Sequence, residues 1–243
     1  MGSRMEMLSL EGLRVDGRRW NELRQFHCSM STQKKDGSSF IRHGSTKVEC
    51  VVTGPREPDQ HSRSGGEKAS VTVEVEVSPF STTDRRKRSR SDRRIQEVCV
   101  LLENTFADTI LTHLYPRSEI SIRIQVLEQD GGLLQCAINA TTLALIDAGI
   151  AMSEYICACT AGSVDANTLL DLNGAEENDL SYLTVATWGE SDLIALLQLE
   201  SKLHMDRFES LLAVAMAGCH QVRRQMNAVV TMTSQRQLKE IPL

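Results

Sequence analysis

The sequence predicts an α+β protein in two halves, each a run of strands closed by a helix. Three observations carry that expectation. The stretch Val126–Gly149, VLEQDGGLLQCAINATTLALIDAG, reads as an apolar strand, a two-glycine turn and a helix of small and aliphatic residues fit only for a buried position. Ala69, Val71, Val73, Val75 and Val77 alternate with polar neighbours, the period of a strand with one buried face. From about Met205 to Val230, Phe208, Leu211, Leu212, Ala215, Cys219, Val222 and Met226 recur at helical spacing and close the second half. The halves divide near residue 150, giving expected subdomains of about 14–150 and 151–243, although no residue-level self-similarity links them.

Composition narrows the function classes. A chain of 243 residues with 41% hydrophobic content can bury a full core. The net charge of −5 argues against nucleic-acid binding over the whole surface, so any such contact must come from a local basic patch. No uncharged apolar run approaches the roughly twenty residues of a membrane span, and the N-terminus has no hydrophobic signal region. An intracellular protein without membrane contact is expected. The cysteines, 7 in number, form no C-x-x-C pair, and the 6 histidines form neither H-x-H nor H-E-x-x-H, so buried free thiols are expected and no metal or cofactor is implied.

The remaining elements follow in order. Gly12–Arg19 is polar and turn-rich, a surface arm before a first strand over Leu23–Met30. Ser38–His43 and Lys47–Thr53 make a hairpin turning at Gly44-Ser45, the second strand stopping at Gly54-Pro55. Pro55–Lys68 contains no apolar residue and reads as an exposed loop. Asp92 caps a helix whose apolar face is Ile95, Val98, Cys99, Leu102, Phe106 and Ile110, ended by His113-Leu114-Tyr115-Pro116. Ile120, Ile122, Ile124 and Val126 form the strand entering the glycine turn. In the second half Ile156–Ser163 is a tightly packed strand, Asp171–Asp179 an acidic loop, and Tyr182–Thr187 with Leu193–Leu199 a strand pair.

Two features carry chemistry. Gly131 and Gly132 permit backbone angles closed to other residues, and the helix start behind them offers free N–H groups to an anion, a weak signal because such turns are common. Asp84–Arg94, DRRKRSRSDRR, holds seven basic against two acidic residues. Charge runs are usually solvated loops. Arg93 and Arg94 differ from the rest because a rigid helix start would hold them, and they are the better-placed cations for a phosphate backbone.

Five segments together resemble the ribonuclease PH family: RVDGRRWNELR (Arg14–Arg24), GSTKVECVVTGPREP (Gly44–Pro58), SDRRIQE (Ser91–Glu97), LYPRSEI (Leu114–Ile120) and LEQDGG…INATTLALIDAGI (Leu127–Ile150). Their order and spacing run along nearly the whole chain. The opening looks most like the branch that builds the ring of the eukaryotic RNA exosome and is counterpart to the catalytic archaeal subunit. The resemblance implies a fold of two pseudo-symmetric sheet-and-helix subdomains, six such domains closing a ring around a pore. It further implies other ring subunits, RNA-binding cap subunits, an associated 3′-to-5′ exoribonuclease and single-stranded RNA as partners, in nucleus, nucleolus and cytoplasm. Arg93 and Arg94 would line the pore, with His61, Ser62 and Arg63 at its entrance.

Active family members cleave RNA from the 3′ end by attack of inorganic phosphate, which needs a held phosphate and acidic residues nearby. In those relatives a hydroxyl residue and an arginine follow the two glycines. Here Leu133 and Leu134 stand there, forfeiting charged hydrogen bonds of roughly 1.5–3 kcal/mol each. The family's two aspartates match Glu176 or Glu177 and Tyr182, with Asp179 as a partial substitute. A tyrosine with an ordinary pKa near 10 is a poor acid or ligand at neutral pH. The resemblance therefore implies a non-catalytic ring member that still threads RNA. The alternatives are an active phosphorolytic exoribonuclease and a ring element with no RNA contact.

Overall fold

The computed structural model describes residues 8–9, 12–33, 35–57, 68–82, 85, 92–164 and 167–240. His61, Ser62 and Arg63 lie outside the described residues, as does most of the basic run before Asp92. The strands are β1 (Phe26–Met30), β2 (Gly37–His43), β3 (Thr46–Arg56), β4 (Ser70–Val77), β5 (Glu119–Glu128), β6 (Ile156–Val164), β7 (Asn167–Leu170), β8 (Ser181–Trp188) and β9 (Ile194–Leu199). The helices are α1 (Arg93–Thr109), α2 (Leu133–Asp147), α3 (Gly174–Asp179) and α4 (Met205–Glu240).

Two sheets result, a five-stranded one in the order β1-β2-β3-β5-β4 and a four-stranded one in the order β7-β6-β8-β9. The β4–β5 pairing is parallel, and the chain between them runs through α1. Alternation is realised as expected: Val73, Val75 and Val77 are buried while Glu74 is exposed. Asp92 caps α1 by accepting from the Arg94 N–H, and Ile95, Leu102 and Phe106 form the buried stripe.

α2 lies between the sheets. Every residue from Leu134 to Leu145 is buried, because one side meets β2 and β3 and another meets β6. A helix covered on several sides needs small apolar residues all round, which its sequence supplies. Its few polar groups are paired: Asn139 donates to the Ala158 carbonyl at 3.0 Å and accepts from the Ala158 N–H at 2.8 Å. The largest hydrophobic cluster consequently spans both sheets, from Ile41 and Ile124 to Ile156, Ala186 and Met226. On α4, Leu211, Ala215, Cys219, Val222 and Met226 are fully buried, whereas Phe208 and Leu212 are only half-buried.

Four expectations need correction. β3 runs on to Arg56 instead of stopping at Gly54-Pro55, with a register irregularity after Thr53, and the Gly54 N–H is taken by Asp36 Oδ2 at 3.1 Å. α1 ends at Thr109, not at His113–Pro116, where a separate 3-10 turn (Thr112–Leu114) forms. The segment Asp171–Asp179 is not all loop, since Gly174–Asp179 is helical and starts with a capping box between Asn173 and Glu176. The stretch Gly12–Arg19 lies at the surface over most of its length, but not throughout: its Arg14 is 3% exposed and reaches the second sheet.

Candidate functional site

The site is assembled where the Gly131-Gly132 turn meets the start of α3. Both glycines have left-handed φ, 75° and 64°, and a Cβ on Gly131 would come within 2.6 Å of the Asn173 carbonyl carbon. Close approach as well as backbone angle therefore demands glycine. The turn is then fastened on both sides. Thr46 Oγ1 donates to the Gly131 carbonyl at 2.8 Å and accepts from the Asp130 N–H at 3.0 Å, while Asp130 Oδ1 accepts from the Gly174 N–H at 3.1 Å.

Beneath the turn lies Asp171, fully buried and with φ at 54°. Its Oδ1 accepts from Arg24 Nη2 at 2.9 Å and Gln135 Nε2 at 2.8 Å; its Oδ2 accepts from the Arg24 N–H at 2.7 Å and stands 2.9 Å from His43 Nε2. Burial alone would raise the pKa of this carboxyl. The adjoining His43 and the Arg24 guanidinium outweigh that and hold it well below the usual carboxylate range. Arg24 also donates to the Asp130 carbonyl at 2.5 Å, so one arginine ties the first strand's approach, the glycine turn and the second sheet together.

The two glutamates of the acidic segment have different fates. Glu176 is 1% exposed and is committed to Arg14 by a two-pronged pair, while its Oε2 also accepts the Asn173 N–H at 2.9 Å. Glu177 turns the other way. Both its carboxylate oxygens lie 3.2 Å from the Gly132 N–H. Burial is the main reason its pKa is raised, with Glu200 and Asp171 adding to the rise and the Gly132 N–H and Arg24 opposing it. Asp179 is exposed at the end of α3.

Tyr182, half-buried in β8, sits in the same electrostatic neighbourhood. Burial first, and then the Glu177 and Glu200 carboxylates, push its hydroxyl above its ordinary pKa, and Arg94 acts in the opposite sense. Arg93 is 91% exposed at its side chain and pairs with Glu97 one turn on, at 3.0 Å, and Arg94 is exposed beside it. Leu134 is buried in the main core and Leu133 is half-buried against it, so neither side chain offers the turn a donor. Among the described residues no group of three or more His, Cys, Asp or Glu side chains could hold a metal ion, and no helix is long and apolar enough to cross a membrane.

Comparison with known proteins fits this geometry. Residues 22–151 match the model of the RNase PH 3′ exoribonuclease family, domain 1, and residues 154–218 match its domain 2. The chain belongs to the ribonuclease PH family. It is similar to exosome complex component ski6 of Schizosaccharomyces pombe, at 48% identity over 94% of this chain and 95% of that protein. It is also similar to exosome complex component SKI6 of Saccharomyces cerevisiae, at 44% identity over 93% of each chain. Among solved structures, rice Rrp46 superposes with a TM-score of 0.80 at 26% identity, over 90% of this chain and all of that one.

Within this ribonuclease PH fold, Glu177 faces the glycine turn and acts electrostatically on the Tyr182 hydroxyl, as Arg94 does in the opposite sense, whereas Glu176 is drawn away by Arg14. Sequence reasoning missed Arg24, His43, Gln135, Asp171 and Glu200. None of these left a local signal; the helical start of the acidic segment did, since Asn173-x-x-Glu176 has capping-box spacing. The Asp171 hub joins residues distant in the chain, such as Arg24 at a separation of 147, and no local pattern announces it.

Proposed function

We propose that this chain is a non-catalytic ring subunit of an RNA exosome that helps to thread single-stranded RNA toward an associated 3′-to-5′ nuclease. The observation that carries ring membership is its near-full-length similarity to exosome components of two yeasts. Partners on this reading are other ribonuclease PH-like subunits, RNA-binding cap subunits, the nuclease and RNA, in nucleus, nucleolus and cytoplasm. Exposed Leu193, Ile194, Leu197 and Leu199 on and beside the edge strand β9 support a chain that associates through a sheet edge.

Inactivity is supported by the site's chemistry. Phosphate attack on a phosphodiester brings two anions together and requires cationic or multiple N–H donors to hold the first. Leu133 and Leu134 supply neither, Glu176 is neutralised by Arg14, and Tyr182 is driven further from ionisation. Arg93 and Arg94 stand on a capped helix and remain available to RNA phosphates, with His61, Ser62 and Arg63 as further contacts at the pore entrance. Purification from the native source, followed by mass spectrometry, tests membership. Ring and cap subunits should accompany the chain; a homohexamer would instead favour a self-sufficient phosphorolytic enzyme.

A further inference from the structure

We propose that Glu177 is a built-in blocker: its carboxylate occupies the Gly132 amide at the head of α2 and closes the degenerate site to external oxyanions such as phosphate. The inference rests on the reading of that site as non-catalytic and adds a cause that the lost side chains do not supply. Both oxygens of Glu177 stand 3.2 Å from the Gly132 nitrogen, so its single N–H is already shared between two acceptors. The carboxylate is held there by construction. Glu177 belongs to a helix whose start is fixed by the Asn173–Glu176 capping box, by the Arg14–Glu176 pair and by Asp130 receiving the Gly174 N–H. Gly131, packed against Asn173, leaves the turn no freedom to withdraw.

The blocker sits there at a cost, which separates it from an ordinary structural hydrogen bond. Glu200, Asp171 and the Tyr182 hydroxyl share its surroundings, and Arg24 is the cation that acts on it. An amide that donates to a poorly solvated carboxylate is one disposed to anions. With the carboxylate gone, that amide would face an incoming oxyanion with no internal competitor, and Arg24 beneath the turn would favour the negative charge.

The test uses the full-length chain with inorganic phosphate as probe, read by the Gly132 amide resonance. The Glu177→Ala variant should show a saturable phosphate-dependent shift of Gly132 and its neighbours, with affinity at least about tenfold above that of the wild type, in line with one charge-assisted hydrogen bond. Glu177→Gln keeps an acceptor on the amide and should bind phosphate more weakly than Glu177→Ala; it also serves if the alanine variant is poorly folded. Equal phosphate binding by wild type and Glu177→Ala, or no binding by a folded Glu177→Ala, would overturn the proposal. A parallel incubation with RNA separates this from the reading beneath it. Release of nucleoside diphosphates by the wild type would sink the non-catalytic assignment, whereas phosphate binding by Glu177→Ala without release leaves that assignment standing.

Discussion

Arg14 and Glu176, 162 residues apart, form a fully buried pair in which Arg14 Nε donates to Oε1 at 2.8 Å and Nη2 donates to Oε2. The remaining guanidinium donors reach the carbonyls of Leu170, at 2.5 Å, and Asp171, at 2.9 Å. The segment around Arg14 is thereby locked to the acidic segment of the second half. Such a pair need not be worth more than a well-packed apolar contact, but removing one partner strands the other charge. Arg14→Ala and Glu176→Ala should each destabilise the fold by about 3–5 kcal/mol, read as a shift in the urea midpoint at unchanged slope. The double variant should cost less than the sum of the two, because neither charge is left alone.

Asp171 makes stability depend on acid pH. Its folded-state pKa lies well below the ordinary value of 3.8, so its ion pairs contribute fully above that value and are lost as pH falls through the folded pKa. Asp171→Asn removes the charge at every pH. The gap in unfolding free energy between wild type and this variant should be constant from neutral pH down to about 5 and then narrow below about 4. A gap that stays constant into strong acid would show that the Asp171 carboxyl has the same pKa folded and unfolded, contrary to the depressed value.

Glu177 carries the opposite sign. Its pKa is raised above 4.5, so its charge costs stability at pH values above the folded pKa, and the cost vanishes below the unfolded one. Glu177→Gln should accordingly be at least as stable as the wild type near neutral pH, with no advantage below pH 4.5. Thermal unfolding at several pH values checks this.

The thiols should be unreactive in the native chain. Burial pushes Cys50, Cys136 and Cys219 up to about 12 and Cys28 to about 11. Cys99, half-exposed on α1, is the one expected to react first with a maleimide. Peptide mapping after brief labelling identifies the modified residue.

Arg93 and Arg94 provide the test of RNA threading. Reversing both to Glu should remove two phosphate contacts and flatten the log–log salt dependence of single-stranded RNA binding by the assembled ring by roughly 1.4, at about 0.7 per contact. Both side chains are exposed, so stability should change by only about 0.5 kcal/mol. Degradation of long RNA should slow while short substrates are less affected. Unchanged handling of long RNA by the assembled variant would mean that it takes another route.

Much of this architecture was legible because local patterns carried it. The alternation over β4, the Asp92 cap of α1 and the uniformly small, apolar α2 each specify an element and its environment from residues close in sequence. What escaped was decided at long range. Arg14 reads as solvated like its neighbours because charged side chains are rarely buried, and the burial of that one side chain depends on Glu176 arriving from the far half of the chain. The short β7 and α3 were hidden for a related reason: Asn167–Leu170 and Gly174–Asp179 are too brief to display a period. The glycine turn was identified from sequence, but which glutamate faces it depended on the rotation of α3.

The central claim, a ribonuclease PH fold without ribonuclease PH chemistry, is tested most directly by one assay. The chain assembled with its ring partners is incubated with single-stranded RNA, magnesium and inorganic phosphate, and nucleoside diphosphates are quantified. None should form above a contaminant control. Phosphate-dependent release of nucleoside diphosphates that disappears on mutating Glu176 and Glu177 would contradict the account.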